Sequence, residues 1–240
     1  MKFTDSHLHM QDYKTNNAQQ IVSDMQDIGF AKVVCVSSTL KSWENVAKIT
    51  MQHSNFVIPA FGLHPWYIKQ APVDWQQQLR CYLNKFSNAQ IGECGLDCLK
   101  VEPEKQQEVF EAQINLAKEF NRPLNIHILK ADEWFLTFLP RISSKFMLHS
   151  FSGSVELLHT ITKAGGFISL SSGVLKRKNG TNIIKEVPLS KLLIESDGPY
   201  LSNYNNIPEL VTSIADIKGI DAKELSSIIY SNFKEFNYGK

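Results

Sequence analysis

The stretch Val33-Val34-Cys35-Val36 is apolar at every position. A strand with one face in water alternates apolar and polar residues, whereas a strand covered on both faces reads as an unbroken apolar run. Phe56-Val57-Ile58 and Leu192-Leu193-Ile194 have the same character. Working outward from these, short β-branched or aliphatic runs begin near Lys2, Lys32, Phe56, Ala89, Pro123, Lys145, Gly165 and Lys191. Their mean spacing of about 27 residues leaves room for a crossover helix between successive parallel strands.

The gaps carry helical patterns. Pro103 suits the first position of a helix, and Phe110, Ile114, Ala117 and Phe120 follow it as one apolar stripe. Near the end, Asp221 with Glu224 has the form of a capping box, and Leu225, Ile228, Ile229, Phe233 and Phe236 share one face of the helix it opens. Eight strand-helix repeats predict an α/β fold, and eight parallel strands are the number that closes a (β/α)8 TIM barrel. An open doubly wound sheet is the structural rival. No Pro-, Gly- or Ser-rich linker and no shift in charge divides the chain, so residues 1–240 read as a single domain.

The 240 residues are 43% hydrophobic and 20% charged, a globular composition. With 25 Lys and Arg against 24 Asp and Glu, the net charge of +1 excludes capture of a polyanion by bulk electrostatics. Any phosphate contact must come from a local site. Met1 to His7 contains no apolar leader, and no apolar run approaches 18 residues, so neither export nor a membrane span is expected. Cys35, Cys81, Cys94 and Cys98 do not form a disulfide framework or a CxxC motif, which fits a reducing cytoplasm.

Of the seven histidines, His7, His9, His64, His127 and His149 fall at the C-terminal ends of predicted strands, while His53 and His159 do not. In a barrel those ends form the active-site face. His7 and His9 are two apart, so the pleat puts both imidazoles on one side. Glu93 ends the fourth strand and Asp197 the eighth. Carboxylates withdrawn from water need a partner, and neutral imidazoles are poor ones; a divalent cation satisfies both. The mixed nitrogen and oxygen set suits zinc, manganese, iron or cobalt better than magnesium alone. Six ligands exceed what one tetrahedral zinc needs, which favours two ions bridged by a carboxylate, with Glu93 the natural bridge. Such ions make water acidic enough for hydrolysis near neutral pH. Other chemistries lack their motifs: Ser150-Phe151-Ser152-Gly153 is not GxSxG, there is no P-loop or GxGxxG, and Glu93 beside Cys94 opposes a thiolate nucleophile.

With these motifs assembled, the chain resembles the TatD family of metal-dependent deoxyribonucleases from Asp5 to about Phe236. Asp5-Ser6-His7-Leu8-His9 is similar to the family's D-[ST]-H-x-H, Gly62-Leu63-His64-Pro65 to its G-[IL]-H-P, and Ile91 to Asp97 to its IGExGLD. His149 to Gly153 resembles HxFSG, Glu195 to Leu201 resembles E-[ST]-D-x-PYL, and Asn232, four before Phe236, is close to the closing NxxxxF. The resemblance implies a TIM barrel in which His7, His9, Glu93 and Asp197 hold one metal ion and Glu93, His127 and His149 the other. The ions are expected as zinc, with magnesium or manganese as functional alternatives. It also implies phosphodiester hydrolysis of DNA, with Asp197 as ligand and proton acceptor and His64 as a contact to the phosphate or leaving group. For His64 the simpler alternative is a cap on the loop at Pro65.

Departures from the family pattern fall on the substrate side. Leu129 occupies the position of the arginine in HxRxA; Lys130 is the adjacent substitute, although an ammonium lacks the bidentate fork. Lys176 and Arg177 in Lys176-Arg177-Lys178 are candidate contacts to a phosphate backbone. Trp66 and Tyr67 are candidates for stacking on unpaired bases, while Tyr200 is expected to pack. The expected activity is a cytoplasmic, monomeric, metal-dependent deoxyribonuclease acting on single-stranded DNA ends. Two rivals stand beside it: an amidohydrolase-type barrel cleaving another ester or an amide, and a metal-holding barrel that binds nucleotide or protein without turnover.

Overall fold

A computed structural model describes residues 1–15, 17–100 and 102–239. Eight strands, Phe3–Leu8 (β1), Phe30–Val36 (β2), Val57–Phe61 (β3), Gln90–Asp97 (β4), Leu124–Leu129 (β5), Phe146–Leu148 (β6), Phe167–Leu170 (β7) and Leu192–Ile194 (β8), form one parallel sheet in sequential order. The helices are Ala18–Ile28 (α1), Leu40–Gln52 (α2), Trp75–Lys85 (α3), Pro103–Phe120 (α4), Asp132–Phe138 (α5), Val155–Lys163 (α6), Gly180–Glu186 (α7), Ile207–Lys218 (α8) and Ala222–Tyr238 (α9).

The sequential order is that of a barrel. A doubly wound sheet would reverse direction at a switch point. The seam between β8 and β1 is joined just beyond the end of β8, where Asp197 N–H donates to His7 O at 2.9 Å and His9 N–H to Gly198 O at 2.7 Å. Deeper in the seam, the Ser6 hydroxyl donates to Ile194 O at 2.8 Å. Closure therefore ties two of the expected ligand segments directly to each other.

The unbroken apolar runs follow from this geometry. Val33, Cys35, Val57, Leu192 and Ile194 belong to the layer between sheet and helices. Their neighbours Val34, Val36, Ile58 and Leu193 form a second, inner cluster with Ala60, Met147 and Phe167. Phe233 and Phe236 of α9 join that inner cluster. α9 lies across the N-terminal ends of the strands: Asn232 donates to Leu189 O and Leu192 O, Gln90 at the start of β4 bonds Asn237, and Phe236 meets Phe167 at the start of β7. The final helix thus covers the barrel mouth opposite the histidines. Asp221 caps it by accepting from Lys223 N–H and Glu224 N–H. Pro103 opens α4 as its spacing predicts, with Phe110, Ile114 and Ala117 buried and Phe120 partly so.

Between the apolar plug and the far rim lies a buried polar layer of Ser6, Gln90, Asn125 and Ser169. Asn125 Nδ2 donates to Ser6 O at 3.2 Å and to Gln90 Oε1 at 3.1 Å. Buried amides need such partners, and their fixed orientation is what the rim is built on.

Candidate metal centre

Glu93 lies inside β4 and His127 inside β5, on strands that approach unusually closely. Gly95 has φ 141°, and a Cβ there would sit 1.9 Å from His127 O; one on Gly92 would sit 2.6 Å from Asn125 Cβ. Glycine is required at these contacts. His7 is in β1, His9 and His149 lie one residue past β1 and β6, His64 three past β3, and Asp197 three past β8. All but His127 among these ligand candidates are buried, and His127 is partly so.

The side chains converge. Glu93 Oε2 is 3.7 Å from His7 Nε2 and 3.5 Å from His9 Nε2. Its Oε1 is 3.2 Å from His127 Nδ1 and 3.0 Å from His149 Nε2. Asp197 Oδ1 is 3.7 Å from His7 Nε2 and 3.4 Å from His9 Nε2. One carboxylate therefore turns a different oxygen to each of two imidazole sets.

Whether these imidazoles suit a cation depends on where their protons are. His7 Nδ1–H donates to Asn125 Oδ1 at 2.8 Å, His9 Nδ1–H to Val36 O at 2.9 Å, and His149 Nδ1–H to Glu195 Oε1 at 3.2 Å. In the neutral rings the proton is on the outer nitrogen, so the inner Nε2 can offer its lone pair to a cation once any second proton has left, as in metal-binding histidines generally. His127 is reversed in the ring sense: Nδ1 faces inward and Nε2 lies 3.4 Å from Asp97 Oδ2. Nε2 is buried without a hydrogen-bond partner among the described residues, so Asp97 acts on it as a nearby charge. Three triads have donor atoms within 4.8 Å of one another: His7, Glu93 and His149; His7, His9 and Asp197; His64, Glu93 and His127.

His64 belongs to the last triad by distance but not by chemistry. Its Nδ1 accepts the Trp66 backbone N–H at 3.1 Å, so the proton sits on Nε2, which points at Glu93 Oε1 from 3.1 Å. A nitrogen that carries a proton toward the centre is a donor, not a ligand. The loop cap considered for His64 is present, and Nε2 of the same ring faces Glu93.

Electrostatics match. Burial alone would raise the Glu93 carboxyl, but the adjacent His64, His149 and His127 hold it well below the usual range. Burial would raise Asp197 too, and the hydrogen bond with His9 and the nearby His7 and His149 lower it. Burial would lower His149, yet Glu93 and Glu195 push it well above the ordinary value. Burial is the largest effect on His7 and takes it down to about 3, while hydrogen bonding to Asp197 raises His9 against its burial. Without cations, protons fill part of the role that a dication would take.

Sequence reading singled out the ligand candidates but not the groups that orient them. Asp5 accepts from Ser196 Oγ at 2.6 Å, Ser196 N–H at 3.0 Å and His7 N–H at 3.2 Å, pinning the Asp197 loop to β1, and burial raises its carboxyl to about 7. Glu195 also accepts Ser150 N–H at 2.7 Å. A polar residue two before a strand-end histidine, as Asn125 is before His127, was the available signal.

The centre opens into a cavity of about 340 Å³ lined also by Trp66, Tyr67, Ile128, Leu129, Arg177 and Tyr200. Lys130 and Lys176 are not in its wall. Lys130 lines a separate depression with Cys98 and Asp132, because the chain turns there with φ 51° and Leu129, two after His127, takes the inward face. Lys176 is exposed. Tyr200 does not pack inside: it is 64% exposed, its ring edge meets His9 at 5.1 Å, and its hydroxyl donates to Asp12 Oδ2 at 3.0 Å. Trp66 donates Nε1–H to Asp97, and Lys100 Nζ stands 4.2 Å over its ring, covering a face expected to be open for bases.

Comparison with known proteins gives a consistent picture. The family model described as TatD related DNase matches residues 4–237. An uncharacterized metal-dependent hydrolase of Methanocaldococcus jannaschii is 25% identical over 98% of this chain and 97% of its own length. The 3'-5' ssDNA/RNA exonuclease TatD of Escherichia coli K12 is 28% identical over 89% of this chain and 90% of its own. Among solved structures, the TatD homolog YJJV of Escherichia coli K12 superposes with a TM-score of 0.89 at 21% identity, covering 98% of this chain and 97% of that one.

Proposed function

Because the chain belongs to the TatD-related DNase family, we propose that it is a metal-dependent hydrolase cleaving phosphodiester bonds at the ends of single-stranded DNA. The observation that carries this reading is the division of Glu93, with Oε2 toward His7 and His9 and Oε1 toward His127 and His149. A carboxylate so placed would be shared by two cations when they are bound. We assign His7, His9, Glu93 and Asp197 to one and Glu93, His127 and His149 to the other, with zinc favoured by the nitrogen-rich set and magnesium or manganese as alternatives in function. The names of the relatives, a metal-dependent hydrolase and an ssDNA/RNA exonuclease, support the metal requirement and the substrate class.

Divalent cations, when bound, act as Lewis acids on a phosphoryl oxygen and make water acidic enough to attack at neutral pH. The rest falls to the side chains. Asp197, kept ionised by the imidazoles around it, accepts the proton of the attacking water. His64, with its proton held on Nε2 by Trp66, donates to a phosphoryl or leaving oxygen. Asn125, Val36 O and Glu195 hold three of the ligand imidazoles by hydrogen bonds, and the Asp97 carboxylate lies 3.4 Å from the fourth, that of His127. Among the described residues no helix is long and apolar enough to cross a membrane. The four cysteines are free, two buried and two exposed, which supports a reducing compartment such as the cytoplasm.

The test is elemental analysis of protein purified without added metal, followed by assays on single-stranded and duplex oligonucleotides. About two ions per chain and release of nucleotides from single-stranded ends are expected. Asp197→Asn should keep the fold and lose turnover; cleavage at the parental rate would remove Asp197 from the mechanism. Failure of the metal-loaded protein to cut any oligonucleotide overturns the reading.

A further inference from the structure

Of the four arginines in the chain, three are engaged within the protein. Arg80 pairs with Glu119, Arg141 with Glu111 at 2.7 Å, and Arg122 donates to the carbonyls of Ser87 and Leu83. Arg177 differs. It follows the short turn Ser172–Lys176 after β7, is partly buried, and lines the cavity above the metal centre. One of its terminal nitrogens, Nη1, donates to Phe151 O at 2.6 Å. That bond fixes the guanidinium against the loop two residues beyond His149.

A guanidinium is always charged and offers five donors in a rigid fork. Arg177 spends one donor on a neutral carbonyl. Among the described residues, the arginine-carboxylate pairs are those of Arg80 and Arg141, so Arg177 is partly desolvated with no anion beside it. Such a cation is costly unless an anion completes it. The cavity wall adds Ile128, Leu129 and Leu201 and the neutral hydroxyls of Ser150 and Ser152 beside Phe151, and the carboxylates of Glu93 and Asp197 are surrounded by imidazoles. Among the described residues Arg177 forms no ion pair with either carboxylate, and its bond to Phe151 O holds it on the loop after β6. The anion that completes it is one presented by whatever enters the cavity, reached from the Phe151 side of the site rather than from the ligand cluster.

We infer that Arg177 anchors the phosphate next to the scissile one in a nucleic-acid strand, so that the preferred substrate carries at least two consecutive phosphates. This rests on the phosphodiesterase reading above. It also assigns phosphate recognition to the loop after β7, since Leu129 brings no charge to the wall and Lys130 faces elsewhere.

The experiment compares the parent, Arg177→Gln and Arg177→Lys, all metal-loaded, on the trinucleotide TpTpT, which has two phosphates, and on bis(4-nitrophenyl) phosphate, which has one. For Arg177→Gln, kcat/KM on TpTpT should fall at least about tenfold through KM, as loss of a charge-assisted hydrogen bond does. On bis(4-nitrophenyl) phosphate it should change by less than about twofold. Arg177→Lys should recover part of the loss. In parallel, equilibrium binding of a fluorescein-labelled phosphorothioate oligothymidylate is followed against salt, where losing one phosphate contact reduces the log-log slope by about 0.7. Equal losses on both substrates, or none on TpTpT, overturn the assignment. If the parent cleaves neither substrate, the phosphodiesterase reading fails separately, and the binding arm decides: a shallower slope for Arg177→Gln sustains the anchor, an unchanged one overturns it.

Discussion

Asn125 Oδ1 accepts the Nδ1 proton of His7 at 2.8 Å, and the same amide donates to Ser6 O and Gln90 Oε1. Through one buried side chain, the polar layer of the barrel fixes the tautomer of an imidazole at the metal centre. Asn125→Ala should weaken metal binding about 10- to 100-fold, as loss of a ligand-orienting partner does, while Asn125→Asp, which keeps an acceptor for Nδ1–H but loses the donors to Ser6 O and Gln90 Oε1, should recover only part of it. Competition with a zinc-responsive chelator dye measures both.

His64 and the ligand histidines should separate in a metal assay. His64→Gln should leave the number of bound ions unchanged and cut turnover by about 10²- to 10⁴-fold if it transfers a proton. His149→Gln should lose metal and turnover together. A fall in ion content for His64→Gln would make it a ligand after all.

Metal uptake should depend on pH with a definite sign. In the metal-free protein His149 is held protonated to higher pH than an ordinary histidine, by Glu93 and Glu195, which outweigh its burial. A cation needs the neutral ring, so it must displace that proton. Affinity should rise with pH up to the raised His149 value and fall below it, by about tenfold per pH unit for each proton released. Calorimetric titration at pH 6 and pH 8 in buffers of different ionisation enthalpy would count those protons; identical affinities at the two pH values would contradict the account.

Removing the barrel plug should cost stability without touching the chemistry. Phe233 is fully buried in the inner cluster, and Phe233→Ala should cost about 3 to 5 kcal/mol. For a chain of this size that lowers Tm by roughly 6 to 20 °C. Ion content below the transition should match the parent, because α9 covers the end opposite the histidines.

At Gly95 the backbone itself is the constraint. With φ 141° and His127 O 1.9 Å from a prospective Cβ, Gly95→Ala must push β4 from β5 or fail to fold. Soluble expression with lower ion content than the parent, or loss of the folded protein by circular dichroism, is expected; unchanged metal binding and Tm would refute the tight-approach argument.

The strand count, the parallel order and the face that holds the chemistry were legible in the chain itself. Runs such as Val33 to Val36 state that both faces are covered, and a histidine or carboxylate at a run's end states which rim is functional; both are local signals of period and punctuation. That six donors gather at one rim was also legible, and the proposal that Glu93 is shared between two ions starts from that count.

What the linear order did not hold is direction. Lys130 and Arg177 are both basic residues beyond a strand, yet one turns to a separate depression and the other into the cavity wall, since that choice depends on backbone turns and on which carbonyl, here that of Phe151, captures the side chain. The proton positions on His7, His9, His149 and His64 depend likewise on Asn125, Val36, Glu195 and Trp66, three of them far away in sequence from the ring they orient. Residue type sets which atoms are able to bind a cation; only the closed barrel, by bringing acceptors to particular ring nitrogens, decides which of them do.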